Sequence, residues 1–188
     1  MRVFIAIDID EAIRRSLGDL QQELASKAGT KKGDVKWVRP ENIHLTLKFL
    51  GEIKDEQVVD VCKIVKDVSD KHKKFELDIE TVGSFGGKSA RVLWVGVGQG
   101  SENLLQLQND VEQRLASAGW PAEARKFTGH LTLCRIRNFK AGAKLATMTG
   151  EYSDFKLGSM PADSVSVYQS QLTPTGPIYT VLGDYKLQ

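Results

Sequence analysis

The tetrapeptide His-Leu-Thr-Leu occurs twice in the 188 residues, at His44–Leu47 and at His130–Leu133. At ordinary residue frequencies the chance that a given His is followed by Leu-Thr-Leu is on the order of one in a few thousand. Two of the three histidines are followed by it, so the tetrapeptide is a repeated unit and not a coincidence. Its alternation is that of a β-strand with one face buried. On such a strand His and Thr project from the same side, about 6.5 to 7 Å apart, while the leucines anchor it from behind. The chain therefore has to accommodate two display strands, one in each half. If the halves pack face to face, His44, Thr46, His130 and Thr132 converge on one cleft.

The rest of the chain supplies a frame for those strands. Val3, Ile5, Ile7 and Ile9 read as a mostly buried first strand. Ile13, Leu17, Leu20 and Leu24 recur at helical spacing over Glu11 to Lys27, with Gly29 as a stop. The spacing predicts a second helix over Asp55 to His72 and a third over residues 102–118, closed by Gly119 and Pro121. Strands are expected at Phe75 to Val82, Arg91 to Val97, His130 to Ile136, and near 163–172 and 178–186. Residues 139–160 carry no clear period. Helices among many short, turn-linked strands predict an α+β fold with largely antiparallel sheets. By strict alternation Phe49 belongs to the core and Cys134 shares the face of His130 and Thr132. His72 is expected to be solvated at the end of its lysine-rich helix.

Charge and cysteine content narrow the function. Twenty-six basic against 24 acidic side chains leave +2, too little to hold a long polyanion by bulk charge. Residues 124–150, however, hold Arg125, Lys126, Arg135, Arg137, Lys140 and Lys144 with no Asp or Glu, so a local phosphate site is expected there. Two cysteines without CxxC spacing point to a reducing, cytoplasmic setting. No run of 18 uncharged apolar residues exists, and the opening MRVFIAIDID is interrupted by Asp8 and Asp10, so membrane spanning and secretion are disfavoured. Nothing resembles a coiled coil or an exposed apolar seam, and a monomer is expected.

Imidazole has an unshifted pKa near 6.5, so one copy can serve as base and another as acid at neutral pH. A pair of them suits displacement at phosphorus, where an attacking hydroxyl or water loses a proton as the departing sugar oxygen gains one. Threonine hydroxyls can donate to non-bridging phosphate oxygens, and Arg125, Lys126 or Arg135 can add positive charge beside the second motif. Trp37, Phe127 and Tyr168 are candidates to stack on a nucleobase. Two other readings stay open: a non-catalytic module that holds RNA ends or small phosphates, and a zinc hydrolase built on His44, His130 and Cys134.

The paired motifs, the lead-in KWVRPENIHLTLKFLGE and the ending SQLTPTGPIY resemble the two-histidine phosphoesterase superfamily. Within it the chain is most similar to the RNA 2′,3′-cyclic phosphodiesterases, also called 2′-5′ RNA ligases, over nearly its whole length. The resemblance implies a bilobal arrangement of residues 1–188 with one motif per lobe, pseudo-symmetric sheets around a central cleft and helices outside. It implies hydrolysis of RNA-terminal 2′,3′-cyclic phosphates, or of small cyclic nucleotides, to 2′-phosphomonoesters, with reversible ATP-independent joining of RNA ends and with neither metal nor cofactor. His44 and His130 would then be catalytic, with His44 suited to the acid role and His130 to the base role. Thr46 and Thr132 would bind substrate, joined by Arg135, Arg125 and Phe127. Gly129, just before the second motif, departs from the proline often found there.

Overall fold

Asp10 opens the first helix, α1 (Glu11–Ala28), by accepting a hydrogen bond from the Ile13 N–H at 2.7 Å. Gly29 closes it at φ 57°, in the left-handed region that a side chain would strain. The computed structural model describes residues 1–174 and 176–188; Thr175, inside the SQLTPTGPIY ending, lies outside the described residues. The other helices are α2 (Asp55–Ser69), α3 (Ser101–Ser117) and α4 (Phe139–Met148). The strands are β1 (Arg2–Ile7), β2 (Val35–Trp37), β3 (Leu45–Glu52), β4 (Phe75–Phe85), β5 (Val92–Val97), β6 (His130–Ile136), β7 (Lys156–Ala162), β8 (Ser164–Thr173) and β9 (Gly176–Lys186). The fold is α+β as expected, and all pairs between these strands are antiparallel. Among the described residues no helix is long and apolar enough to cross a membrane.

The patternless stretch 139–160 turns out to hold α4 and β7. Helix α4 buries Gly142, Leu145 and Met148 and is capped by Asn138, which accepts from the Ala141 N–H. With Gly and Ala filling much of its sequence, it has too few large apolar residues to show a period. Strand β7 lies at one end of the sheet order and contains Gly158 and Pro161, residues that mask a strand pattern but are tolerated at an edge.

The sheet runs β7-β4-β5-β6-β3-β1-β8-β9, with β2 also paired to β6. Its two halves meet at one registered pair, Leu45 with Leu131, each the residue that follows a motif histidine. Helix α3 covers β3, while α2 lies over β8 and β9. Val3, Ile5 and Ile7 of β1, the four motif leucines, and Leu17, Leu24, Leu107 and Leu115 of the helices share one core. His72 departs from expectation. Its side chain is only 12% exposed and its Nε2 lies 2.8 Å from Asp110, joining the end of α2 to α3.

Both motif strands carry a β-bulge at the same place. On β3, Thr46 pairs with Ala6 and Lys48 with Ile5, so Leu47 drops out of the ladder. On β6, Thr132 pairs with Trp94 and Cys134 with Leu93, so Leu133 drops out. Each bulge makes two successive residues face inward, Leu47 with Lys48 and Leu133 with Cys134, and turns the next one, Phe49 or Arg135, back to the histidine face. Strict alternation therefore fails at Phe49, which is 57% exposed, and at Cys134, which is fully buried with its thiol pushed up to about 12 by burial.

A buried glutamine sits under each bulge. Gln21 of α1 donates to the carbonyls of Leu133 and Val38, both at 2.8 Å, and Gln108 of α3 donates to the Leu47 carbonyl at 3.5 Å. The support is crossed along the chain, since α1, in the first half of the sequence, holds the bulge of the second motif and α3, in the second half, holds that of the first. Replacing Gln21 with the similarly shaped, non-donating Met leaves the Val38 carbonyl without this donor. Gln21→Met should cost about 1–3 kcal/mol in urea-induced unfolding.

Candidate active site

The pair Leu45–Leu131 sets the geometry of the site. It is flanked on one strand by His44 and Thr46 and on the other by His130 and Thr132. Residues in opposed positions have Cβ atoms about 4.5–5.5 Å apart, and diagonal neighbours lie about 7–8 Å apart. Antiparallel register continued past that pair would set the two imidazoles diagonally, each opposite a hydroxyl. All four side chains line one cleft of about 390 Å³, a volume typical of small-ligand sites.

Both histidines are held the same way. Nδ1 of His44 lies 2.9 Å from the Asn42 carbonyl oxygen, and Nδ1 of His130 lies 2.7 Å from that of Thr128, in each case two residues back. A carbonyl can only accept, so Nδ1 carries the hydrogen and the neutral ring presents Nε2 with a free lone pair; protonation there makes it a donor. Each ring is thereby prepared to take or give one proton at Nε2.

The surroundings differ. His44 stacks on Phe4 (ring centroids 4.6 Å apart) and meets the edge of Tyr179 at 5.3 Å. Burial lowers its pKa, and the Asn42 hydrogen bond and the nearby Asp8 only partly oppose this. His130 has Phe85 edge-on at 5.1 Å and Trp94 at 6.2 Å. Gly129 packs closely: a Cβ there would come within 2.6 Å of a Leu104 methyl on α3, so the proline expected at that position would require that side chain to shift.

Of the residues singled out from the sequence, His44, Thr46, His130, Thr132, Arg135 and Trp37 line the cleft. Arg125 is instead exposed on the loop before β6, and Phe127 packs against the core. Tyr168 is nearly buried behind Phe4, its hydroxyl donating to Asp8. The zinc reading fails on geometry, because the bulge at Leu133 sends Cys134 to the core face, away from both histidines. Phe4, Phe49, Tyr179, Lys36 and Arg39 also line the cleft. Phe49 was hidden by its bulge and Tyr179 by its distance along the chain, whereas Lys36 and Arg39 stand in the lead-in to the first motif. The cleft wall carries Arg2, Lys36, Arg39 and Arg135 and, among the described residues, no carboxylate.

The family model for LigT-like phosphoesterases matches the chain twice, over residues 7–94 and 95–179, so that each match contains one motif. The chain belongs to the LigT-like phosphoesterase family. It is 34% identical to the RNA 2′,3′-cyclic phosphodiesterase of Methanothermobacter thermautotrophicus, over 100% of this chain and 99% of that one. It is 35% identical to that of Archaeoglobus fulgidus, over 95% and 96%. Escherichia coli LigT, crystallised with 3′-AMP, superposes with a TM-score of 0.80 at 25% identity, covering 99% of this chain and 97% of its own. A Thermus thermophilus structure shares the fold at TM-score 0.80 and 24% identity, over 100% and 98%.

The His44 environment has a measurable consequence. In an NMR titration its pKa should fall below 6.5, with Phe4→Leu moving it back toward that value. The folded state holds His44 neutral where the unfolded chain binds a proton, so its contribution to stability declines as pH falls through about 6.5 and levels off below the folded pKa. The stability difference between wild type and His44→Gln should show that decline.

Proposed function

We propose that this protein hydrolyses terminal 2′,3′-cyclic phosphates of RNA to 2′-phosphomonoesters. The observation that carries the reading is that both imidazoles and both hydroxyls, flanking the pair Leu45–Leu131, line one cleft whose charged residues, among those described, are all cationic. One histidine accepts a proton from water as the water oxygen bonds to phosphorus. The other donates its proton to the ribose 3′-oxygen as the P–O3′ bond breaks. The product keeps phosphate on the 2′-oxygen, and solvent exchange restores the two protonation states. Thr46 and Thr132 donate to the non-bridging oxygens, where charge accumulates in the transition state.

Burial lowers the pKa of His44, and the family resemblance suits His44 to the acid role and His130 to the base role. A 5′-hydroxyl in place of water would give a 2′-5′ phosphodiester by the same steps. One chain supplies all four groups, so a monomer suffices. The unpaired Cys62 and Cys134 fit a reducing, cytoplasmic setting.

Loss of either imidazole should reduce kcat for a nucleoside 2′,3′-cyclic phosphate by about 10²–10⁴-fold in His44→Ala or His130→Ala. EDTA should leave activity unchanged. The dependence of kcat/KM on pH should be bell-shaped, with both limbs belonging to the histidine pair. Undiminished turnover by the double alanine variant would refute the assignment. Phosphate binding without turnover would favour the non-catalytic module instead.

A further inference from the structure

Two stretches of the chain contain no Asp or Glu, residues 81–101 and residues 124–150. The fold lays part of one against part of the other. Ile136 donates its N–H to the Arg91 carbonyl at 2.8 Å, Ala90 to that of Gly142 at 3.1 Å, and the Ser89 hydroxyl donates to that of Phe139 at 3.0 Å. Lys88, Arg91, Arg137 and Lys140 therefore share one surface, at the end of β6 away from its histidine, and all four are exposed. Among the described residues none of them forms an ion pair, whereas Lys27, Lys66, Arg114 and Lys186 elsewhere on the surface do. Asp34 meets Arg137 only through its main-chain carbonyl, and its carboxylate accepts from the Lys31 N–H instead.

Two bare aromatic rings stand among these cations. Phe139 is 74% exposed and Phe85 40%. The turn that carries Phe85 is fixed by the Arg91 N–H, which donates to the Phe85 carbonyl at 2.7 Å. Gly86 closes it at φ 120°, where a Cβ would come within 2.7 Å of the Arg91 nitrogen. Exposed cations interleaved with rings suit single-stranded nucleic acid, whose phosphates meet the cations while its bases stack on the rings. Because Phe85 also meets His130 edge-on at 5.1 Å, this surface is continuous with the cleft.

Geometry and charge set the direction of such a strand. A chain that ends in a 2′,3′-cyclic phosphate can leave the cleft only through its 5′-oxygen. Arg137 lies four ladder steps beyond Thr132, about 13 Å along the strand direction, farther than the terminal nucleotide extends. At the opposite end, beyond Phe49, Arg2 and the N-terminal ammonium stand with the exposed Glu52 and Asp55, a balanced field with no net pull on a polyanion.

We propose that this acid-free surface is a docking track for the single-stranded RNA that lies 5′ to the reacting nucleotide. It rests on the cyclic phosphodiesterase reading and names the substrate class as RNA strands several nucleotides long. The four cations act on binding alone and touch none of the reacting groups.

Adenosine 2′,3′-cyclic phosphate, a dinucleotide and a single-stranded decamer ending in the same cyclic phosphate test the track. At low salt, wild-type kcat/KM should be about 10-fold or more higher for the decamer than for the dinucleotide, with KM carrying the difference, and the advantage should fade as salt rises. The triple variant Arg91→Glu/Arg137→Glu/Lys140→Glu should bring the decamer level with the dinucleotide or below it, while kcat and KM for the cyclic mononucleotide stay at wild-type values. Phe139→Ala should lower the decamer advantage about 5-fold without changing its salt dependence. A decamer no better than the dinucleotide, or an advantage that survives the triple variant, overturns the track. Pairing the decamer to a complement up to its last nucleotide should remove most of the advantage; an undiminished advantage overturns single-stranded docking.

If wild type hydrolyses none of the three, the cyclic phosphodiesterase reading fails and the track is read by binding. Fluorescence anisotropy with a labelled decamer ending in a 2′-phosphate should then show about 10-fold weaker binding by the triple variant. The slope of log affinity against log salt should fall by about 2, or about 0.7 for each lost phosphate contact. Equal affinities for wild type and variant would overturn the inference.

Discussion

One cross-strand pair, Leu45 with Leu131, joins the two halves of this protein's sheet, and the candidate site exists because of it. Each leucine follows a motif histidine, so pairing them brings both His-x-Thr units alongside each other in opposite directions. Diagonal imidazoles and diagonal hydroxyls follow from antiparallel register alone. A slip of one residue would send one motif's polar groups into the core and its leucines into the cleft. Leu45 and Leu131 are both fully buried, so the register is enforced by the same hydrophobic contacts that hold the halves together.

The two bulges convert this symmetric array into a site with ends. At each motif the chain steps out of the ladder once, at Leu47 or Leu133, and the following exposed residue returns to the cleft. One lobe presents Phe49 there and the other presents Arg135. Beneath the bulges lie Gln21 and Gln108, each supplied by a helix distant along the chain from the motif it supports, so the backbone departures and the helix packing are mutually dependent. On the aromatic side Phe4 and Tyr179 enclose His44 and hold its pKa down, while their counterparts around His130 come from Phe85 and Trp94. Equivalent imidazoles are thus placed in unequal environments.

Much of this was legible in the chain itself. The period-two motif strands, the amphipathic helices with their Gly stops, and the display of His44 with Thr46 and of His130 with Thr132 all follow from local pattern. Arg135 was also named, although parity alone would have assigned it to the opposite face. What escaped has identifiable causes. Helix α4 is too small-residue-rich to show a period, and β7 is masked by Gly158 and Pro161. Phe49 and Cys134 were misplaced because a bulge has no signature in alternation. Arg125 and Phe127 were chosen for nearness along the chain to His130, but the loop that carries them leaves one in solvent and the other against the core.

By itself the sequence determined which groups are displayed, since a strand's two-residue period is a local property of backbone stereochemistry. Only the tertiary structure decided how those groups face one another: the Leu45–Leu131 register, the bulges that bring Phe49 and Arg135 into the cleft, and the burial that lowers the His44 pKa. These depend on contacts between residues distant along the chain, and no local pattern encodes such distances.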